Sequence, residues 1–99
     1  MKNILTMISL KLNDANMMDD WKKMSDEITK SLQEVDGFIY RDSAVGEDGT
    51  VYCFIKWESA EKQDAFMKFM QSDAFKGEME AFAKIANMQS MKTEILQIV

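Results

Sequence analysis

The sequence predicts an α+β fold in which helices cover one face of a four-stranded antiparallel sheet. Four short segments carry dense apolar residues and are bounded by turn-forming residues, as strands are. Two longer segments repeat apolar residues at three- and four-residue steps, which is typical of amphipathic helices. The 99-residue chain is 46% apolar, with four glycines and no proline. This composition favours one compact domain over residues 1–99, without a linker or a low-complexity segment.

The first strand and the first helix follow each other directly. Ile4–Leu12 is predicted to be a strand, and Asn13 or Asp14 can cap the helix that follows. Gly37 is predicted to end that helix, because glycine accepts the left-handed conformation common after helix ends. The apolar positions at helical spacing are Met17, Met18, Trp21, Met24, Ile28, Leu32 and Val35.

A hairpin and a second helical region are predicted next. Phe38–Val45 is a strand, residues 46–49 form a glycine-containing turn, and residues 50–58 form the returning strand. Ser59 is the predicted cap of a helix. Its buried side is expected to include Phe66, Phe69 and Met70.

The last part of the chain contains a helix restart and a fourth strand. Ser72 and Asp73 are the predicted second cap, residues 87–90 a connector, and residues 91–99 the last strand. The restarted helix places Phe75, Met79, Phe82, Ile85 and Ala86 on one face. The order β-α-β-β-α-β is the ferredoxin-like pattern of two βαβ halves.

The second face of the sheet is also predicted to be covered. Helices can cover only one face, yet apolar residues occupy both alternating positions of three strands. In each of these strands the larger apolar set points to one face, and further apolar residues alternate with it and point to the other face. These further residues are Leu5, Met7, Tyr52, Phe54, Leu96 and Ile98. Since homodimers are the commonest oligomers, a second copy is the expected cover, and sheet packed against sheet would form a dimeric α/β barrel.

Charge and cysteine content exclude several classes of partner. The chain has 12 basic and 17 acidic residues, a net charge of −5, which disfavours nucleic acid and anionic membranes. Its longest apolar run, residues 51–55, is far too short to span a bilayer. A single cysteine, Cys53, permits no intrachain disulfide and fits the cytoplasm, where thiols stay reduced.

The sequence offers few residues for catalysis. It has no histidine and one cysteine, so a histidine base, a histidine metal ligand and a thiolate zinc site are all excluded. We therefore expect neither a bound metal ion nor haem. The candidate proton-transfer residues are the strand residues Tyr40, Tyr52 and Asp42, with Glu58. Alternation along the strands does not by itself place them in a cleft.

Aromatic and methionine side chains provide candidates for ligand binding. Trp21, Trp57, Phe69, Phe75 and Met79 can form a polarizable wall around a flat aromatic ligand. The ten methionines also fit an ordinary core, which helical spacing alone would produce. Cys53 lies among apolar residues and has no cationic neighbour in sequence, which predicts a buried, unreactive thiol.

Residues 37–82 resemble the antibiotic biosynthesis monooxygenase family of dimeric α/β barrels. The resemblance lies in Gly-Phe-Ile-Tyr-Arg at 37–41, in Phe-Ile-Lys-Trp-Glu-Ser at 54–59 leading to Phe66, and in Ser-Asp-Ala-Phe at 72–75. The order of elements extends it over nearly the whole chain. It implies a homodimer with a ligand cleft between helices and sheet in each protomer.

The resemblance implies oxidation of phenols or quinols by O₂ without metal or flavin. Trp57 matches the family tryptophan and Tyr40 a common aromatic of the second strand. Ala74 stands where members often have a histidine, and Phe69 and Met79 replace the tryptophan and histidine of the haem-degrading members. We therefore expect a cofactor-independent monooxygenase acting on a small aromatic. The alternative is a non-catalytic or stress-associated dimer that binds a small ligand in the same cleft.

Overall fold

A computed structural model describes residues 3–99 and confirms the predicted order of strands and helices. Short 3₁₀ turns precede two of the helices, at Ala15–Met17 and Asp73–Phe75. None of the helices within the described residues is both long and apolar enough to cross a membrane. The elements are β1 (Ile4–Leu12), α1 (Met18–Leu32), β2 (Phe38–Val45), β3 (Val51–Trp57), α2 (Ala60–Met70), α3 (Lys76–Ile85) and β4 (Ala86–Gln97).

The four strands form one antiparallel sheet in the order β2-β3-β1-β4. The alternate residues of the central strand β3, from Val51 to Trp57, are buried under the helices. The fold is therefore α+β and ferredoxin-like, as the sequence predicted.

The helix-facing side of the sheet holds two apolar clusters. The Trp21 cluster, near the β2–β3 turn, contains Leu10, Trp21, Val51, Cys53 and Ala86. The Trp57 cluster, at the opposite end, contains Ile4, Leu32, Ile55 and Trp57. Both tryptophans are at most 2% exposed, and Trp21 and Leu32 attach the two ends of α1 to the two clusters.

A bulge at Ile39 changes which residues of β2 face the helices. Phe38 pairs with Trp57 and Tyr40 with Lys56, so two steps along β2 match one step along β3. Because side chains alternate along a strand, the extra residue reverses the pattern after Phe38. Arg41 therefore faces the helices.

Two caps predicted from the sequence are present, and one is not. The Asp14 carboxylate accepts a hydrogen bond from the Asn16 backbone, and the Ser59 hydroxyl accepts one from the Lys62 backbone. Ser72 instead donates its hydroxyl hydrogen to the Phe69 carbonyl, at 2.6 Å.

Three other local predictions are wrong. Helix α1 ends at Leu32, short of Val35. The connector predicted at 87–90 belongs to β4, which begins at Ala86. Phe69 is 49% exposed, because the sheet-facing residues of α2 are those in phase with the buried Gln63, namely Phe66, Met67 and Met70.

The other side of the sheet, called here the outer face, is covered by no helix within residues 3–99. Across the four strands, one row of this face is Tyr40, Lys56, Leu5 and Leu96, and the next is Asp42, Phe54, Met7 and Glu94. Its centre, at Phe54 and Met7, is apolar, Asp42 and Glu94 lie on the two edge strands, and Lys56 lies on the inner strand β3. The sequence-based expectation of a homodimer through this face stays a prediction.

Gly37 lies at a tight crossing between the start of β2 and helix α2. Its φ is +87°, a conformation that other residues rarely adopt, and its carbonyl accepts a hydrogen bond of 2.9 Å from the Glu58 backbone. The Lys62 side chain lies directly over the Gly37 Cα and forms an ion pair with Asp36. A side chain at position 37 would collide with the Cβ and Cγ of Lys62.

We predict that Gly37→Ala destabilises the protein by about 1–3 kcal/mol, through the positive φ and the collision with Lys62. Gly77→Ala is the matched control, because a Cβ there meets nothing within 4 Å in helix α3. It should stabilise the protein by about 0.5–1 kcal/mol. Urea unfolding of both variants measures the difference. Equal effects of the two substitutions would contradict this account of Gly37.

Candidate functional site

A polar cluster centred on Arg41 lies between helix α1 and the β2–β3 hairpin. The guanidinium Nη1 donates to the Ser25 carbonyl at 3.1 Å, to the Ser25 hydroxyl at 2.6 Å and to the Thr29 hydroxyl at 3.1 Å. Nη2 donates to the Cys53 Sγ at 3.3 Å. Arg41 thus links the middle of α1 to the central part of the sheet.

Arg41 has no carboxylate partner within 4.0 Å among residues 3–99. Arginine stays protonated in proteins, so this half-buried group keeps its full charge. Buried charges are usually paired with an opposite charge, whereas neutral hydroxyl, carbonyl and thiol groups surround this one. The cluster is therefore electrostatically suited to an anionic oxygen.

Cys53 is 4% exposed and lies beside this charge. Burial raises the pKa of the Cys53 thiol above its ordinary value, although the Arg41 charge and hydrogen bonds from Ser43 and Arg41 act in the opposite direction. The Ser43 hydroxyl lies 4.0 Å from Sγ. The predicted buried thiol is present, but its cationic neighbour becomes apparent only in the folded chain.

A cleft of about 220 Å³ opens beside the cluster, between α1 and β2. Ser25 is buried, and its hydroxyl accepts from Arg41 while donating to no group within the described residues. The free O–H can therefore donate to an acceptor in the cleft. The lining residues are Trp21, Lys22, Ser25, Asp26, Ser43, Ala44 and Val45.

Two further polar groups are buried between the helices and the sheet. The Thr6 hydroxyl on β1 and the Gln63 side-chain amide nitrogen on α2 form no hydrogen bond with any described residue. Buried polar atoms usually have a partner, so each of these two groups is buried at a cost in free energy.

The five residues predicted to bind a ligand do not converge on one point. Trp57 packs on Phe66 with ring centroids 5.1 Å apart, whereas Trp21 packs on Phe82 at 5.9 Å in the other cluster. A separate pair at the α2–α3 junction joins Phe69 and Phe75 at 5.7 Å, and Met79 is half-buried on α3. Of the five, Trp21 alone lines the α1–β2 cleft.

The predicted catalytic residues lie on the opposite side of the sheet. Tyr40, Asp42 and Tyr52 occupy the outer face, pairing there with Lys56, Phe54 and Ala44 respectively. The Lys56 ammonium lies 5.9 Å from the centre of the Tyr40 ring. Glu58 is exposed beyond the end of β3. Within one protomer, the predicted catalytic and ligand-binding sets are separated by the thickness of the sheet.

Sequence reasoning did not identify Ser25, Asp26 and Ser43 as site residues. Ser25 and Asp26 lie in the polar pattern of α1, and Ser43 has no distinguishing neighbour in sequence. One feature of the sequence could have indicated Ser25: it follows Trp21 by four residues, which places both side chains on the same face of the helix. Within residues 3–99, no three His, Cys, Asp or Glu side chains lie close enough together to hold a metal ion.

Sequence comparisons identify no relative. No protein-family model matches the chain, and no curated protein matches it.

Comparison with solved structures finds several of similar fold. A conserved protein of unknown function from Bacteroides thetaiotaomicron, described as a possible oxidoreductase, matches with a TM-score of 0.72 and 17% identity, covering 98% of each chain. SnoaB, a cofactor-independent oxygenase from Streptomyces nogalater, matches with a TM-score of 0.76 and 10% identity, over 100% of this chain and 95% of SnoaB.

A third similar structure comes from Nitrosomonas europaea and is named as a proposed antibiotic biosynthesis monooxygenase. Its TM-score is 0.78 at 9% identity, over 98% of this chain and 90% of that one. The resemblance inferred from the sequence is thereby confirmed at the level of the fold. The chain has the fold of the antibiotic biosynthesis monooxygenase structures.

Proposed function

We propose that this protein is a cofactor-independent monooxygenase that oxidises a single-ring phenol in the α1–β2 cleft. The observation that carries the proposal is the unpaired Arg41 charge directly behind the cleft-lining Ser25 hydroxyl. The shared fold with SnoaB, itself a cofactor-independent oxygenase, supports the same reaction class.

The reaction needs a phenolate, because the ionised ring gives an electron to O₂ more readily than the neutral phenol. A phenol with a free ring C–H and O₂ give a quinone and water. One oxygen atom enters the ring, the other leaves in water, and the substrate loses the C–H and O–H hydrogens. The substrate is the reductant, so the protein must bind it, favour its ionisation and give O₂ access.

The cleft residues have suitable positions for this task. The Ser25 O–H can donate to the substrate oxygen while Arg41, bound to the same hydroxyl, stabilises the negative charge. An opposite charge lowers the pKa of the bound phenol. The Asp26 carboxylate lines the same cleft and can accept the phenol proton. Trp21 borders the cleft with an aromatic edge.

The size of the cleft restricts the substrate. Its volume of about 220 Å³ is below the roughly 300–1,000 Å³ of sites for drug-sized ligands, which favours one ring over a polycycle. Non-catalytic binding in the same cleft is the second candidate. The absence of Tyr40, Asp42 and Tyr52 from the cleft lining favours that candidate.

We predict that Arg41→Met lowers monooxygenation of para-unsubstituted phenols about 100-fold and Ser25→Ala about ten- to hundredfold, because each removes stabilisation of the phenolate. Lys23→Met, on an exposed residue of α1, is the control for loss of one positive charge. Oxygen uptake gives the rate, and ¹⁸O₂ should place one labelled atom in the quinone. Phenol binding without oxygen uptake would instead establish the binding-protein alternative.

Cys53 is proposed to orient Arg41 as a neutral thiol. Its raised pKa means that folding favours the protonated form, so the stabilisation is complete below pH 9.0 and is lost as pH rises from there through the folded-state pKa.

We therefore predict that the free energy of unfolding of the wild type falls more steeply as pH rises above about 9 than that of Cys53→Ser. The serine keeps an acceptor for Arg41 but does not ionise in this range, so oxygen uptake should be retained. Urea titrations across the pH series measure the difference between the two proteins. Identical pH profiles would show that Cys53 does not contribute.

We also propose that the protein acts as a cytoplasmic homodimer joined through its outer faces. A stable interface of this kind commonly buries about 2,000 Å² or more, much of it apolar. Tyr40, Asp42 and Tyr52 would then be interface residues. The apolar side chains available on the outer face are Leu5, Met7, Tyr40, Tyr52, Phe54 and Leu96.

We predict that Phe54→Asp, at the centre of the outer face, converts the dimer to a monomer of 11.4 kDa. A carboxylate in this apolar centre would be buried without an opposite charge in the dimer, which is unfavourable. Phe69→Asp is the matched control, since Phe69 is 49% exposed on α2. Light scattering at micromolar concentration measures the mass. A monomeric wild type would refute this arrangement.

A further inference from the structure

Thr29 lies one helical turn after Ser25 on α1 and forms hydrogen bonds with two members of the polar cluster. Its hydroxyl donates to the Ser25 carbonyl at 3.1 Å, and its oxygen accepts from Nη1 of Arg41 at 3.1 Å. Thr29 does not line the α1–β2 cleft. Any effect of this hydroxyl on a molecule in the cleft must therefore act through Arg41 or Ser25.

The bond to the Ser25 carbonyl fixes the direction of the Thr29 hydroxyl. A threonine in a helix often donates to the carbonyl four residues earlier, which by itself is a local feature of the helix. Here that bond has a second consequence. Because the hydrogen is used on the Ser25 carbonyl, only the lone pairs of the oxygen are left to meet Arg41. Thr29 is thus a fixed acceptor for the guanidinium.

Few other groups restrain the guanidinium of Arg41. The two remaining acceptors of Nη1 both belong to Ser25, at 3.1 Å for the carbonyl and 2.6 Å for the hydroxyl. Nη2 donates to the Cys53 Sγ at 3.3 Å, and sulfur is a weak acceptor. Among the described residues, Thr29 therefore supplies the one oxygen acceptor for the guanidinium outside Ser25.

We propose that Thr29 is a positioning residue that holds Nη1 of Arg41 against the Ser25 hydroxyl, so that the cleft selects the ionised form of a phenol. This inference rests on the proposed function. Loss of the Thr29 acceptor leaves the Arg41 charge in place but lets the guanidinium turn about its bonds to Ser25. Fixed donors stabilise an anion better than mobile ones, because they need no reorganisation when the charge develops.

Two ligands that differ in ionisation test the proposal on the full-length protein without O₂, which prevents turnover. The first is 4-nitrophenol, whose phenolate absorbs visible light. At a pH where the free probe is half ionised, binding to the wild type should raise the ionised fraction. The second is nitrobenzene, which has the same nitro-substituted ring but does not ionise. Quenching of tryptophan fluorescence gives both affinities, since Trp21 borders the cleft.

Thr29→Val replaces the hydroxyl with a methyl group of similar size. We expect it to weaken binding of 4-nitrophenolate about three- to tenfold, as loss of one hydrogen bond implies, and to change nitrobenzene binding less than about twofold. Thr29→Ala, which favours the helix, should act in the same way. Thr29→Ser keeps the hydroxyl and should bind both ligands like the wild type. Thr93→Val, at an exposed threonine of β4, is the control for the same substitution elsewhere.

The outcomes separate the role of Thr29 from the function of the cleft. A wild type that binds 4-nitrophenol without raising its ionised fraction, or does not bind it, would overturn the proposed phenolate site and the role of Thr29 with it. If the wild type raises this fraction and Thr29→Val does so equally, the role of Thr29 alone is refuted. Equal weakening of both ligands by Thr29→Val, or failure of Thr29→Ser to restore binding, would also refute it.

Discussion

The bulge at Ile39 determines what the interior of this protein contains. Without that extra residue, Tyr40 and Asp42 would continue the face of Phe38 and point under α1, while Arg41 and Ser43 would point outward. With it, one guanidinium enters the layer between sheet and helix. The Ser25 and Thr29 hydroxyls, the Ser25 carbonyl and the Cys53 thiol all depend on that placement for their hydrogen bonds.

Apolar burial and the Arg41 charge have different effects on the same helix. Trp21 and Leu32, each 2% exposed, attach the two ends of α1 to separate apolar clusters. This burial supplies most of the favourable free energy of packing. Between the clusters, Arg41 has to lose part of its hydration without gaining a carboxylate, which costs free energy unless the surrounding dipoles compensate. Strained or costly arrangements of this kind are common at functional sites.

The two faces of the sheet therefore suit different roles. The helix-facing side is an apolar layer that contains the polar Arg41 cluster, whereas on the outer face an apolar centre at Phe54 and Met7 lies between Asp42 and Glu94. In a dimer joined through the outer faces, each α1–β2 cleft would be lined by residues of a single protomer.

The amino-acid sequence by itself determined the order of elements, the caps at Asp14 and Ser59, the turn at 46–49 and the burial of Cys53. These features follow from local periodicity and turn chemistry, which act over a few residues. The tertiary structure decided which strand residues face the helices, because a single bulged residue reverses a pattern of period two. It also decided that Arg41, Ser25 and Cys53 meet, since they come from three elements that are brought together only by folding. The candidate site could therefore not be assembled from spacing, although Trp21 at its border could.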